Sequence, residues 1–146
     1  VVKWWWFLGV LVLAGCTGKQ TAVPLLFSTP AQVFLVEVSI AGQAGKDATV
    51  PLIFDTGAAV TILDETTLQA LGLSPLSTET ILLPNNVTHQ ITRYRLTNLR
   101  LGDCVLRDVD VYGSPALVQG VLGLDVLGPL LPMTVTSAVV VFGCSQ

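Results

Sequence analysis

Charge is scarce in this chain. Of 146 residues only 12% are Asp, Glu, Lys or Arg, and the seven Lys and Arg are scattered. That excludes a groove tracking a phosphate backbone, so nucleic acid is not an expected partner. Histidine and cysteine are sparser still. One His, His89, and three well-separated Cys, Cys16, Cys104 and Cys144, give no combination with the spacing of a zinc or iron–sulfur ligand set. No metal and no cofactor is expected. Long apolar runs are missing too, once past residue 16. Hydrophobic residues make up 51% of the chain, yet "VFLVEVSI", "ILLP" and "SAVVVFG" are each interrupted well before the roughly 20 residues a spanning helix needs. Short runs of this kind suit strands covered on both faces. The length fits one domain.

The N-terminus is different. "VVKWWWFLGVLVLAGC" has one positive charge, Lys3, then an apolar segment from Trp4 to Leu13, then small residues before a cysteine. This is the layout of a secretory signal. Leu13-Ala14-Gly15-Cys16 resembles the bacterial lipobox, which implies residues 1–15 as a signal peptide and Cys16 as the acylated first residue of the mature protein. Two or three acyl chains hold a protein stably on a bilayer. The resemblance implies a bacterial cell-envelope address with a lipid-anchored membrane partner, and Thr17 implies the outer membrane, facing the periplasm. An ordinary signal peptide with an incidental Cys is the alternative. Cys104 and Cys144 then remain, and two readings stay open for them, a disulfide or two buried thiols.

Residues 16–31, the lipidated Cys and then "TGKQTAVPLLFSTPA", read as a tether because of their two prolines and small polar residues. From residue 32 to 146 the chain reads as one domain. "QVFLVEVSI" alternates as a strand with Phe34, Val36, Val38 and Ile40 on one face, "AGQAGKD" is a turn, and "ATVPLIF" is the returning strand. A short strand, Val60 to Leu63, precedes a helix over "DETTLQALG". Asp64 is its N-cap, Leu63 staples onto Leu68, and Gly72 is its C′ residue. "TETILL" and "VTHQITRYRL" flank Pro84-Asn85-Asn86 as a projecting hairpin, since Asn tolerates the positive φ of a tight turn. "LRLGDCVLRDVDVY" is a second hairpin turning at Gly102-Asp103. "ALVQGVLGLDVLG" is a buried strand followed by a Gly turn and a short helical turn, and "AVVVFG" is a last strand. The expectation is an all-β domain with one or two short helices.

One carboxylate stands out. "PLIFDTGAAVTIL" ends an apolar strand on Asp55 and then turns apolar again. An unpaired ionised carboxylate in such surroundings is strongly disfavoured, so it must find partners or a proton. Two such groups facing each other can share one proton, the ionised member polarising a water while the other protonates a carbonyl oxygen. Thr and Gly suit that role. Gly57 lets the backbone come close and offer an N–H to the carboxylate, and the Thr56 hydroxyl can bond across to its twin.

"LIFDTGAAVTIL" leading into "DETTLQALGL" resembles the active-site loop of retropepsin-like aspartic proteases in their bacterial form. "QGVLGLDVLG" resembles their second signature, and "LRLGDCVLRDVDVY" the hairpin before it, so the likeness spans Gln32 to Phe142. It implies a retropepsin-like closed β-barrel and an aspartic-type endopeptidase acting on a peptide or protein substrate. Asp55, Thr56 and Gly57 would be the catalytic triplet. Ala58, Asn85, Asn86, Val121 and Leu122 would contact substrate, with the 84–88 hairpin in the place of the flap. With one triplet per chain, the likeness implies a homodimer in which each copy gives one Asp55. There are departures from the viral pattern. The flap tip is Pro-Asn-Asn instead of Gly-rich. The acidic residue after the triplet and the Arg after the second signature are here Ala59 and Leu124, so their ion pair is absent. Interleaving of the terminal strands between subunits, as in viral enzymes, is left open.

Smaller signals read more plainly. Asp125 lacks the Thr-Gly context and reads as a helix cap. His89 reads as a solvated strand residue in preference to a substrate contact, and Arg93, Arg95, Arg100 and Arg107 as charges on exposed strand faces. The rival to the peptidase is a non-catalytic envelope lipoprotein using the same fold as a binding or assembly module.

Overall fold

The computed structural model describes residues 19–82, 86–117 and 119–144. The long strands form where apolar residues alternate. In β3 (Val33–Ala41), Val36, Val38 and Ile40 are fully buried while Glu37 and Ser39 face out. It turns back on β4 (Asp47–Phe54) through the expected turn, where Ala44 and Gly45 take positive φ. A short strand β5 (Ile62–Asp64) feeds α1 (Glu65–Ala70).

Both ends of α1 are specified locally. Asp64 accepts from the Thr67 N–H at 3.1 Å and from the Thr66 hydroxyl. At the other end Gly72 takes φ +76°, its N–H bonds the Gln69 carbonyl, and Leu73 N–H bonds that of Leu68, a Schellman closure. Leu63 and Leu68, the expected staple, both belong to the buried core. Tyr94, 1% exposed, donates its hydroxyl to Glu65 at 2.8 Å and so ties the helix to the barrel wall.

Two hairpins follow. β6 (Ser77–Leu82) pairs with the first half of β7 (Thr88–Leu101), and the rest of β7 runs beside β8 (Cys104–Ser114), turning at Gly102. β9 (Gly120–Leu122) leads into α2 (Leu124–Leu127), which continues as one 3₁₀ turn, Gly128–Leu130. The large sheet begins with the edge strand β2 (Leu26–Ser28) and runs β2-β3-β4-β9-β5-β8-β7-β6. Pairing of β3 with β7 at Ser39 to Ala41 joins two members of that list, so β3, β4, β9, β5, β8 and β7 close into a ring. This is the expected closed barrel, filled by residues such as Leu52, Leu96, Leu99, Val111 and Leu122.

The N-terminal segment departs from expectation. Inside the span read as a tether lies β1 (Lys19–Pro24), which pairs antiparallel with β11 (Val139–Cys144) over six residues, and β10 (Met133–Val135) covers the other side of β11. The reason is a polar residue facing inward. Thr21 and Val23 are buried, and the Thr21 hydroxyl accepts from the Asp103 N–H at 3.1 Å, so an inward position did not look apolar. The first and last strands among the described residues therefore pair within one chain. Cys104 and Cys144 form a disulfide joining the start of β8 to the end of β11. With a sequence separation of 40, its closure of the unfolded chain is worth roughly 4 kcal/mol in the chain-entropy account.

Hydrogen bonds to Asp64, first from Thr66 and then from Thr67, hold its carboxyl below the ordinary carboxylate range. The stabilisation is therefore full at neutral pH and is lost as the group protonates in acid. Asp64→Ala should lower unfolding free energy by about 1 kcal/mol at pH 7. Urea titrations should show the deficit shrinking as pH falls below about 4.

Candidate active site

The Asp55 loop begins where β4 ends. β4 runs parallel to β9, with Leu52, Ile53 and Phe54 opposite Gly120, Val121 and Leu122, and β9 is flanked on its other side by β5 through Val121 and Ile62. Residues 55–61 thus leave one neighbour of β9 and return as the other. Asp55 N–H bonds the Leu122 carbonyl at 3.2 Å as the strand ends.

Asp55 is half-buried, and Thr56 and Gly57 are exposed. The Gly57 N–H donates to Asp55 Oδ1 at 2.7 Å, the contact the sequence called for, and Ala58 N–H bonds the Asp55 carbonyl at 3.3 Å. The carboxylate is thereby oriented while the triplet stays open to solvent. A backbone N–H bonded to one oxygen leaves the other free for a water or a second acid.

The rest of the loop is held by the segment after β9. The N–H groups of Leu124 and Asp125 donate to the carbonyls of Ala58 and Ala59 at 2.8 and 3.2 Å. Gly123 N–H donates to Thr61 Oγ1 at 3.0 Å, the Thr61 hydroxyl donates to Asp125 Oδ1 at 2.7 Å, and Thr61 N–H donates to Asp125 Oδ2 at 2.8 Å. The approach is close enough to exclude a side chain at 123. A Cβ there would lie 2.5 Å from the Val60 backbone carbon and oxygen.

Several assignments change. Asp125 is not the cap of α2, a position held by Gly123; it is the second residue of that helix, and its carboxylate bridges to Thr61 as well as to Val126 N–H. Leu122, expected against substrate, is fully buried and serves the core, because its register opposite Phe54 turns it inward. Val121 is half-buried and Ala58 half-buried. Asn86 is exposed with φ +61°, in keeping with the tight turn, while Asn85 lies outside the described residues.

Next to the loop's far end is a cavity of about 220 Å³, walled by Ile62, Ile81, Ile91, Ala116 and Leu117, with His89 and Ser114 also lining it. It lies between the β6–β7 hairpin and the end of β8. His89 therefore half-lines an apolar recess instead of standing in solvent. A larger groove, about 550 Å³, runs between β3, β4, β7 and β8 on the outer face; its walls, among them Asn98, Arg100 and Arg107, include no residue of the Asp55 loop. The smaller cavity adjoins the loop through Ile62, the residue that follows Thr61. Of the arginines, Arg95 forms a two-point pair with Asp110 at 2.6 and 2.9 Å, which holds the Asp110 carboxyl below its ordinary range. Sequence reasoning missed Thr61 and the isoleucine walls. Thr61 left one trace, a lone hydroxyl in "AAVTIL", whereas the walls come together only through strand order.

Residues 36–129 match the model of the family described as "gag-polyprotein putative aspartyl protease". The chain belongs to this retropepsin-like family of aspartic proteases. Its fold is similar to the crystal structure of a retropepsin-like aspartic protease from Rickettsia conorii, with a TM-score of 0.66 at 14% identity, covering 88% of this chain and 94% of that one. It is also similar to conglutin gamma from lupine seeds, with a TM-score of 0.50 at 12% identity, covering 86% of this chain and 50% of that one. No curated protein matches.

Since Gly123 touches the Val60 backbone directly, Gly123→Ala should cost about 1–3 kcal/mol of stability. The urea midpoint should fall accordingly, and solvent exchange of the amides of residues 58–61 should quicken.

Proposed function

We propose that the chain is an aspartic endopeptidase that works as a homodimer, each copy giving one Asp55, held at the bacterial envelope through acylated Cys16. The observation that carries this reading is the Asp55-Thr56-Gly57 loop, presented open to solvent with its carboxylate oriented by the Gly57 N–H, in a chain of the aspartyl protease family. A single acid cannot both activate a water and protonate the carbonyl; a two-fold axis beside the loop supplies the second. One carboxylate takes the proton from water as it attacks the peptide carbonyl, and the other gives its proton to the developing oxyanion. As the tetrahedral intermediate collapses, the nitrogen takes the proton held by the first carboxyl and leaves as the amine, and the second carboxylate recovers a proton from the diol hydroxyl. Thr56 from each copy would bond across the axis and stiffen the pair.

The face around the loop supports such a contact. Leu124, 42% exposed, follows Gly123 directly and carries the N–H bonded to Ala58. It offers an apolar contact where the viral enzymes have an ion pair. The terminal strands, paired within the chain as β1 and β11, do not depend on a partner for their ladder. The cavity beside Ile62 suits an apolar side chain of a bound peptide, since its walls are mainly aliphatic.

The address rests on other features. The Cys104–Cys144 disulfide is of the kind kept in oxidising compartments, which supports a location outside the cytoplasm. With β1 starting at Lys19, three residue steps separate it from Cys16, roughly 10 Å of fully extended chain. A lipid there would hold the domain directly against the bilayer instead of on a stalk.

Asp55→Asn should lower peptide cleavage by about 10²–10⁴-fold with fold and dimer unchanged, in casein or peptide-library digests from acidic to neutral pH. An aspartic protease inhibitor should block the wild type, and activity that survives the substitution rejects the reading in favour of a binding module or a contaminant. Leu124→Arg sets like charges facing each other across the axis. Sedimentation should show dimerisation weakened by about tenfold or more, a loss of about 1.4 kcal/mol, with activity falling in parallel.

A further inference from the structure

We propose that Thr61 and Asp125 are positioning residues for Asp55, a side-chain clasp that fixes the catalytic loop against the segment following β9. The proposal rests on the peptidase reading above and names the residues that make its geometry rigid.

Thr61 is fully buried, and every polar group it has is used. Its N–H and hydroxyl go to the two oxygens of Asp125, its Oγ1 accepts from Gly123 N–H, and its carbonyl accepts from Tyr112 N–H at 2.9 Å. One residue thereby ties together the end of the Asp55 loop, the start of α2 and strand β8. The loop is anchored at four places on residues 122–125: Asp55 on Leu122, Ala58 on Leu124, Ala59 on Asp125, and Thr61 on Gly123 and Asp125. The first three use backbone alone, so almost any sequence could make them. The fourth needs a hydroxyl at 61 and a carboxylate at 125.

The chemistry of the pair is specific. Both Thr61 groups that face Asp125 are donors, so the partner must accept at two atoms, which a carboxylate does and an amide does not. A hydroxyl that also accepts from Gly123 cannot be replaced by a methyl without leaving that buried N–H unpaired. Displacement of the loop by an ångström is enough to spoil the placing of a carboxylate against its twin and the attacked carbonyl.

The test compares Thr61→Val, Thr61→Ser and Asp125→Asn in the full mature protein. Thr61→Val should cut kcat by about tenfold or more with KM within about twofold, and Thr61→Ser, which restores the hydroxyl, should return kcat to within about threefold of wild type. Asp125→Asn should resemble Thr61→Val. Amide hydrogen exchange over residues 55–60 should quicken in the Val and Asn variants and not in Ser. Unchanged loop exchange in folded Thr61→Val and Asp125→Asn overturns the clasp, as does a serine variant impaired as badly as valine. If Thr61→Val fails to fold, Asp125→Asn against Thr61→Ser decides by the same two readouts. A wild type with no peptidase activity rejects the catalytic reading alone; the exchange measurement still decides whether these side chains hold the loop.

Discussion

β9 is three residues long, and the site exists because it has a strand on each side. β4 delivers Asp55 along one edge of β9 and β5 carries the chain away along the other, so the loop between them must close over the end of β9. Backbone hydrogen bonds from residues 122–125 then meet that loop along its length. A single pairing choice therefore sets the position of a carboxylate and the direction of a helical turn. The barrel serves this arrangement. Its closure through β3 and β7 completes the ring that includes β4, β5 is held by its pairing with β8 and β9, and the Tyr94–Glu65 bond ties α1 to β7.

The close fit also explains where small residues are required. Gly120 opens β9 and Gly123 follows its end, and side chains there would collide with Leu52 Cδ2 and the Val60 backbone, each at 2.5 Å. A loop that carries chemistry is usually the softest part of a fold. Here it is pressed against backbone on one side and left exposed on the other. Stiffness below and access above are both properties that the proposed acid pair would need.

Much of this was legible in the sequence because the signals are local. The N-cap Asp64, the C′ residue Gly72, the turn at Gly102 and the alternation in β3 each follow from a few neighbouring residues, and the Asp-Thr-Gly triplet with its second signature carried the family. What escaped depended on distant partners. β1 was hidden because Thr21 is satisfied by Asp103, eighty-two residues away in sequence. Asp125 looked like a cap because nothing near it in sequence announces Thr61. Leu122 reads from the sequence as a ligand-side residue, whereas its register against Phe54 sends it inward, and the cavity at Ile62 is assembled from four strands and a turn. The disulfide could not be chosen over free thiols, since its Cα–Cα distance of 5.2 Å is a product of the finished fold.

The pairing of β1 with β11 places Lys19 opposite Cys144. Start and finish of the folded unit are therefore next-door neighbours. In a tandem repeat of such a unit, each lobe would keep its own terminal ladder. Once covalently coupled, the lobes would no longer be bound to identity, and one could reshape its half of the cleft while the other retained the ancestral form. A first and a last strand that pair with each other are thus a structural licence for asymmetry.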